Sequence, residues 1–335
     1  MSPSRLSVLF CAVFAGLVVL PQNALHAAET EFGPRTFDAP PFTAVVAAYR
    51  PEIEALLAEI ERLPHAQIDQ QLRFKGVTYH LGTYRDEPIL VFVTGISIAN
   101  AAMTMQMAFD YFPVKQVIYA GIAGGVNEAL EKGDVTVPAR WYYHDESAYF
   151  NPDGEGGWYL ADYFINGTFY LPENRPAGLH IPDYTNFGMI FPNAVFIIKE
   201  GMDRPERQNY FAATPELLAV AERAIDRVGE LQGLHKDGKA RLFAGGNGVT
   251  GSVFADNAEY RLWLRNVFRA EVTEMESAAV GQICVINEVP WVIIRAVSDL
   301  AGGQEGKNEE NLYDTLASEN AAKLLFAMLE ELAEE

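Results

Sequence analysis

Residues 116–125 read Gln-Val-Ile-Tyr-Ala-Gly-Ile-Ala-Gly-Gly, an apolar run that enters a glycine-rich segment. The run 116–120 is typical of a buried strand, and Gly121–Gly125 predicts a tight turn at its end. Backbone that lacks side chains can approach a ligand closely at such a turn. A second buried-type strand at 291–297 ends in Ser298-Asp299. The residues that follow these two strands are therefore candidates for a ligand-binding site.

Strands and helices alternate along the rest of the chain. Strands are predicted at 42–47, 78–81, 89–94, 116–120, 134–137, 241–244 and 291–297. Helices are predicted after Pro51 and at 99–112, 215–228, 257–268, 277–287 and 310–332. This alternation predicts an α/β fold with a largely parallel sheet, in which ligands bind beyond the carboxyl ends of the strands.

Composition and charge exclude several classes of function. The chain has 335 residues, of which 49% are hydrophobic and 21% are charged, and this is the composition of a globular protein. Its formal net charge of −20 would repel nucleic acid and anionic lipid. The sequence has no phosphate-binding loop of the Walker A type, and its histidines and cysteines lack metal-ligand spacing. We therefore expect neither an organic cofactor nor a metal.

The N-terminus predicts export. A short basic start, Met1 to Arg5, precedes an apolar run at 6–20 and an exit of small residues near Ala27. This pattern predicts a signal peptide at 1–27, a mature domain at 28–335 and a periplasmic or secreted protein. A membrane anchor is the alternative, but about fifteen apolar residues fall short of the ~20 that span a bilayer.

Residues 141–211 interrupt the alternation of strands and helices. These 71 positions hold 17 of the 39 aromatic residues and six prolines. A long irregular stretch of this kind is usually functional or a partner surface. Its rings are expected either to pack as a lid or subunit contact, or to stack directly on a substrate.

Four charged residues near two apolar segments could carry chemistry. Glu274 and Glu276 lie at the entrance to an apolar helix, where acids also complement the helix dipole. Arg295 lies inside an apolar strand and needs an anionic partner, because an unpaired buried charge is costly. Asp299 either caps the next segment or takes part in a reaction.

Together these segments resemble the nucleoside phosphorylase superfamily. The resemblance rests on three motifs. They are the glycine-rich segment Gly121–Gly125 with Gly133-Asp134-Val135 downstream, the segment Glu274-Met275-Glu276, and the segment 294–299. Within the superfamily, methylthioadenosine/S-adenosylhomocysteine nucleosidases are the most similar branch. Segments 248–257 and 298–303 are also similar to the secreted bark and vegetative storage proteins of plants. The resemblance covers about 42–332 apart from the aromatic insertion, and it implies a single-domain three-layer sandwich with a mixed, mostly parallel central sheet.

The resemblance implies three catalytic residues. Glu52, in the segment Ala48-Tyr49-Arg50-Pro51-Glu52-Ile53, matches the acid that activates the attacking water. Arg295 matches the arginine that orients this glutamate, and Asp299 matches the acid at purine N7. Breaking an N-glycosidic bond requires a nucleophile, a stabilised oxocarbenium-like sugar and a proton on the leaving base. One carboxylic acid and two carboxylates can supply all three.

The resemblance also implies a substrate-binding set. Glu276 matches the glutamate that holds the ribose hydroxyls, Met275 lies beside the sugar, and Val249 lies where backbone meets the base. The set is completed by Tyr49, Gly124, Glu274 and Ser298.

The chain departs from the family at several positions. Ile122 replaces a serine or threonine that binds water or phosphate, and Arg50 and Pro51 replace acids before Glu52. Gly248 stands where the nucleosidases carry an aromatic residue. Base stacking is therefore expected from elsewhere, with the aromatic insertion as a candidate.

The sequence thus predicts hydrolysis of the N-glycosidic bond of a purine nucleoside, of the 5′-methylthioadenosine/S-adenosylhomocysteine kind or related. The family implies a homo-oligomer, a dimer or larger. Phosphorolysis on the same fold is one alternative: Arg50 favours it, while the charge of Glu52 and the apolar Ile122 oppose it. A storage or nucleoside-binding protein without turnover is the other alternative.

Overall fold

A mixed β-sheet forms the middle layer of the protein, seen in a computed structural model that describes residues 37, 39–161 and 186–334. All of these belong to one compact unit, Thr36–Glu335. The expected signal peptide at 1–27 lies outside the described residues. The strands are β1 Phe42–Ala47, β2 Ala66–Phe74, β3 Val77–Tyr84, β4 Glu87–Val93, β5 Val114–Gly125, β6 Val135–Val137, β7 Arg140–Tyr143, β8 Ser147–Tyr149, β9 Ile190–Pro192, β10 Val195–Ile197, β11 Glu206–Gln208, β12 Phe211–Ala212, β13 Leu242–Ala244, β14 Asn247–Thr250, β15 Ala270–Glu274 and β16 Trp291–Asp299.

The strand order of the main sheet is β12-β7-β14-β15-β5-β1-β4-β3-β2, and β16, β6 and β13 branch from β5. Parallel pairing joins β1 to β4 and β5, β16 to β5, and β14 to β7 and β15. Antiparallel pairing adds β2 and β3 at one edge and joins β15 to β5. The sheet is therefore mixed and mostly parallel at its centre, as the sequence predicted.

Helices cover both faces of the sheet. They are α1 Arg50–Arg62, α2 Ile98–Tyr111, α3 Pro215–Val228, α4 Ala258–Phe268, α5 Ser277–Ile286 and α6 Glu310–Ala333. Helices α1, α3 and α6 pack together on one face, while α2 and α5 pack on the other. Each presents an apolar side to the sheet, as α1 does with Leu56 and Ile60. The predicted three-layer sandwich is thus confirmed. In the described part of the chain, no helix combines the length and apolarity needed to cross a membrane.

The predicted turn at Gly121–Gly125 is wrong, because β5 continues through it. Glycine is needed at these positions because neighbouring side chains leave no space for a Cβ atom. A Cβ atom at Gly121 would lie 2.5 Å from a carboxylate oxygen of Glu52 and would also collide with the guanidinium of Arg295. At Gly124 it would lie 3.2 Å from Oδ1 of Asp299. β5 therefore lacks a side chain at the positions where Glu52, Arg295 and Asp299 contact it.

Part of the aromatic insertion packs in a separate apolar cluster, whereas Trp141, Ile197 and Phe211 join the main core. Its strands form two small antiparallel pairs, β8 with β9 and β10 with β11. Phe191 contacts the rings of Phe150 and Trp158, with ring centroids 5.2 and 5.8 Å apart. Phe187 lies edge-on to Tyr260 of α4 at 5.1 Å. The insertion therefore adds a second core against α4. Residues 162–185 of it lie outside the described residues.

Cys284 is fully buried in α5, as the apolar stretch 278–286 around it predicts.

Candidate active site

A cavity opens where β1, β15 and β16 end and β5 passes beneath them. Nine of the ten site residues predicted from the sequence line it: Tyr49, Glu52, Gly124, Glu274, Met275, Glu276, Arg295, Ser298 and Asp299. The tenth, Val249, is fully buried in the apolar cluster beneath α4. The fold thus gathers side chains that lie up to 250 positions apart along the chain.

Glu52 lies in the first turn of α1 and is held by backbone N–H groups. One of its carboxylate oxygens, Oε2, accepts from Ala48 at 2.6 Å and from Tyr49 at 3.4 Å. The other, Oε1, accepts from the N–H of Ile122 at 2.8 Å and lies 3.8 Å from Nη1 of Arg295. Burial raises the pKa of Glu52, and Arg295 opposes this increase. Ile122 therefore serves the site through its main chain.

Arg295 is the buried cation of the site. Its Nη2 donates to Glu274, to Oε2 of Glu276 at 3.3 Å and to the Ser277 hydroxyl at 2.9 Å. Its Nη1 donates to the carbonyl of Ile122 at 3.1 Å. The anionic partner that the sequence required for Arg295 is thus a group of three carboxylates, counting Glu52.

Glu274 has its carboxylate occupied by protein donors. It accepts from the Thr250 hydroxyl, from Arg295, and from the backbone N–H groups of Glu276 and Ser277, both at 2.9 Å. Although it borders the cavity, this residue holds the start of α5 and the guanidinium in place. Glu274 therefore positions its neighbours.

Glu276 presents its carboxylate between two segments. Its Oε1 accepts from the N–H of Ser97 at 2.7 Å. Ser97 adopts φ 86°, a backbone conformation that favours glycine, and this turn aims its N–H at the carboxylate. Burial first, and then the Glu274 carboxylate, raise the pKa of Glu276 to about 8.

Asp299 ends β16 and is 5% exposed. Its Oδ1 accepts from the N–H of Ala301 at 2.8 Å and from the amide of Asn308 at 3.2 Å. Its Oδ2 accepts from the Ser298 hydroxyl at 3.0 Å. The chain after β16 therefore folds back to fix one oxygen, while the other meets a hydroxyl that can rotate.

The cavity wall expected at the purine base is formed by Val253, Phe254 and Ala255. The sequence had predicted Val249 and the aromatic insertion at this place. Phe254 is 60% exposed and offers a ring at the cavity. A Cβ atom at Gly248 would lie 2.5 Å from ring carbons of Trp141, so this glycine packs against a core ring. No described residue of the insertion lines the cavity. The sequence did offer one sign of this role, since Phe254 is an aromatic residue inside the segment 248–257.

Tyr119 is a further site residue that sequence reasoning missed. It is fully buried in β5, and the guanidinium carbon of Arg295 lies 4.9 Å from the centre of its ring. The phenol oxygen lies 3.1 Å from the hydroxyl of Thr94. A cation over a desolvated aromatic face is attracted to it. In the sequence this residue looks like any other member of an apolar strand.

The raised pKa of Glu276 predicts a pH-dependent stability. A glutamate protonated in the folded state but ionised in the unfolded state destabilises folding as pH rises from its ordinary value of 4.5 to about 8. We expect Glu276→Gln to remove this decline. The free energy of unfolding of the variant, relative to that of the parent, should therefore be higher at pH 9 than at pH 5 by more than about 1 kcal/mol. Chemical denaturation at pH 5, 7 and 9 measures it, with the exposed Glu54→Gln as control. A pH-independent difference would contradict the prediction.

Comparison with known proteins places the chain in a family. A protein of Lysinibacillus sphaericus named 5′-methylthioadenosine/S-adenosylhomocysteine nucleosidase is 26% identical over 286 residues, covering 85% of this chain and 97% of its own. The futalosine hydrolase of Helicobacter pylori has a TM-score of 0.59 at 19% identity, covering 87% of this chain and 98% of its own.

The 5′-methylthioadenosine/S-adenosylhomocysteine nucleosidase of Neisseria meningitidis, in complex with methylthio-immucillin-A, has a TM-score of 0.60 at 23% identity. The match covers 88% of this chain and 99% of that one. The family model described as the phosphorylase superfamily matches residues 43–333. The chain therefore belongs to the phosphorylase superfamily.

Proposed function

We propose that the protein hydrolyses the N-glycosidic bond of a purine nucleoside, of the 5′-methylthioadenosine/S-adenosylhomocysteine kind or related, and releases the base and the sugar. One observation carries the proposal: Glu52, Glu276 and Asp299 line a single cavity, and Arg295 contacts the first two. The names of the curated relatives support the same reaction.

Glu52 is the general base. Its carboxylate faces the cavity, and the backbone N–H groups of Ala48 and Ile122 fix it. A water molecule beside this carboxylate loses its proton to Glu52 as it attacks the anomeric carbon. Arg295 favours the ionised carboxylate that this step requires.

Glu276 and Asp299 act on the two halves of the substrate. Glu276 accepts hydrogen bonds from the ribose hydroxyls, and the carboxylate of Glu52 stabilises positive charge on the sugar ring. Asp299 gives a proton to N7, so the purine leaves as a neutral base. Its Oδ2 carries that proton, since the Ser298 hydroxyl beside it can rotate away. Phe254 supplies the ring against the base.

Two alternatives are less well supported. Phosphorolysis would need a cation for phosphate, but the Arg50 side chain is 85% exposed and pairs with Glu54 at 2.6 Å. A storage protein would gain nothing from the arrangement, because three carboxylates buried around one arginine cost folding free energy.

We also propose export and self-association. The pattern of residues 1–27 supports a periplasmic or secreted protein. Large apolar side chains at the described surface support a homo-oligomer, among them Met103, Phe196 and Ile198, each more than half exposed.

Hydrolysis predicts turnover without phosphate. In phosphate-free buffer, the protein should convert 5′-methylthioadenosine to adenine and the free sugar. Glu52→Gln should lower kcat by about 10²–10⁴-fold, the usual effect of losing a positioned general base. Glu54→Gln, on the same helix but exposed, is the matched control. A strict requirement for phosphate, with a sugar phosphate as product, would favour phosphorolysis instead.

The proton on the leaving base gives a second test. Asp299→Asn keeps the shape of the side chain but cannot transfer a proton, so kcat should fall by about 10²–10⁴-fold while substrate still binds. Single-turnover kinetics and calorimetric binding separate the two effects. The nearby exposed Asp256→Asn serves as control. Unchanged turnover in Asp299→Asn would remove this residue from the mechanism.

Tyr119 should act by positioning Arg295. Tyr119→Phe keeps the ring and should stay near parental activity, whereas Tyr119→Leu lets the guanidinium move away from Glu52. The pKa of Glu52 then rises further, so the acid limb of kcat/KM should shift to higher pH. Tyr79→Leu, another fully buried tyrosine of the same apolar cluster, is the control. Equal pH profiles for both leucine variants would show that Tyr119 only fills space.

A further inference from the structure

Three polar residues of the cavity have no role in the proposed reaction: Tyr49, Thr273 and Glu310. Phe254 and Asp299 account for the base, Glu276 for the ribose hydroxyls, and Glu52 for the water at the anomeric carbon. Thr273 pairs with Gly124, which lies against Asp299, and it therefore belongs to the base side of the cavity. Tyr49 and Glu310 remain, together with the apolar Ile96. The part of a nucleoside that also remains is its 5′ substituent. By elimination, the 5′ substituent faces these residues.

The hydroxyl of Tyr49 is buried and has no hydrogen-bond partner among the described residues. Burial, and then the charges of Glu52, Asp314 and Glu310, raise the pKa of this phenol, so it keeps its proton. A buried hydroxyl without a partner costs free energy, and a polar ligand atom would recover it. The hydroxyl therefore points to a polar group on the substrate.

Glu310 borders the same cavity from the first turn of α6. Its backbone N–H donates to Asn308 at 2.8 Å, but within the described chain its carboxylate pairs with no lysine or arginine. Burial, and then Asp299 and Asp314, raise its pKa, which means that its surroundings are already negative. An acid in a first helical turn is ordinary. A half-buried carboxylate that shares a cavity with an unpartnered phenol calls for a cation or a hydrogen-bond donor.

The charges of the whole cavity agree with this. Five acidic side chains line it, those of Glu52, Glu274, Glu276, Asp299 and Glu310. Glu276 and Asp299 hold a proton in the proposed reaction, which leaves three carboxylates beside one cation. Arg295 is the single lysine or arginine of that lining, and Glu52, Glu274 and Glu276 already surround it. A phosphate or carboxylate at the 5′ end would meet repulsion in a site of low dielectric, whereas a cation would be attracted.

We infer that Glu310 and Tyr49 select the substrate by its 5′ substituent, favouring a cationic or hydrogen-bond-donating group and rejecting an anionic one. This inference rests on the proposed function, since it assigns the base and the ribose as described there. It makes a nucleoside with a 5′ amine or sulfonium a better substrate than a nucleotide.

Three adenosine derivatives that differ only at the 5′ position test it. They are 5′-amino-5′-deoxyadenosine, a cation at neutral pH, the neutral 5′-methylthioadenosine, and the anionic adenosine 5′-monophosphate. The parent should show kcat/KM falling in that order. Glu310→Gln should reduce the ratio of amine to methylthio by about tenfold, the usual effect of one charge-assisted hydrogen bond. Tyr49→Phe should reduce it as well, by a smaller factor.

Glu305→Gln is the matched control. It removes the same charge from an exposed residue in the loop that precedes α6, and this residue does not line the cavity, so the ratio should not change. If Glu305→Gln and Glu310→Gln alter the ratio equally, the effect is one of overall charge and the inference fails. A ratio that is the same in Glu310→Gln and the parent also overturns it.

Binding measured without turnover keeps this result separate from the proposed reaction. Calorimetry on the Glu52→Gln variant, with and without Glu310→Gln, gives affinities for the same three compounds. If the amine binds most tightly and this preference depends on Glu310, the inference holds even where the parent cleaves none of them and the proposed function has failed. Equal affinities for all three overturn the inference, even if the parent hydrolyses each one.

Discussion

The guanidinium of Arg295 is the contact on which the rest of the site depends. Three buried carboxylates, those of Glu52, Glu274 and Glu276, converge on this one cation. Without it they would repel one another in a site of low dielectric. The pairing of β16 with β5 places Arg295 opposite Gly121, and the missing side chain there leaves room for the arginine and for Glu52. Arg295 can therefore occupy its position only because residue 121 is a glycine.

Each acid that acts on substrate is held by the main chain of a different segment. Ile122 donates its N–H to Glu52, Ser97 to Glu276, and Ala301 to Asp299. A main-chain donor has little freedom to move, because it has no side-chain torsion that could rotate it away. The fold itself therefore orients the carboxylates before a substrate arrives, and this is the arrangement that electrostatic stabilisation of a transition state needs.

The fold was largely predictable from local patterns, and its misses have physical causes. The apolar strands and periodic helices at the centre of the sheet were found, because burial on both sides leaves continuous apolar runs. β2 was missed, since this edge strand carries many polar residues and only part of it is covered. The stretch 121–125 was taken for a turn because glycine favours turns, whereas here it makes room for side chains from other segments.

By itself the sequence determined which acids, arginine and glycines the chain offers, and which of them follow a strand. Short motifs preserve this information, because local spacing decides whether a residue ends a strand or begins a helix. Only the tertiary structure decided that Phe254 and not Val249 borders the cavity, that the ring of Tyr119 lies beneath Arg295, and that Glu310 lines the same cavity as Tyr49. These arrangements involve residues up to 261 positions apart, and no local pattern encodes the sheet order and helix packing that bring them together.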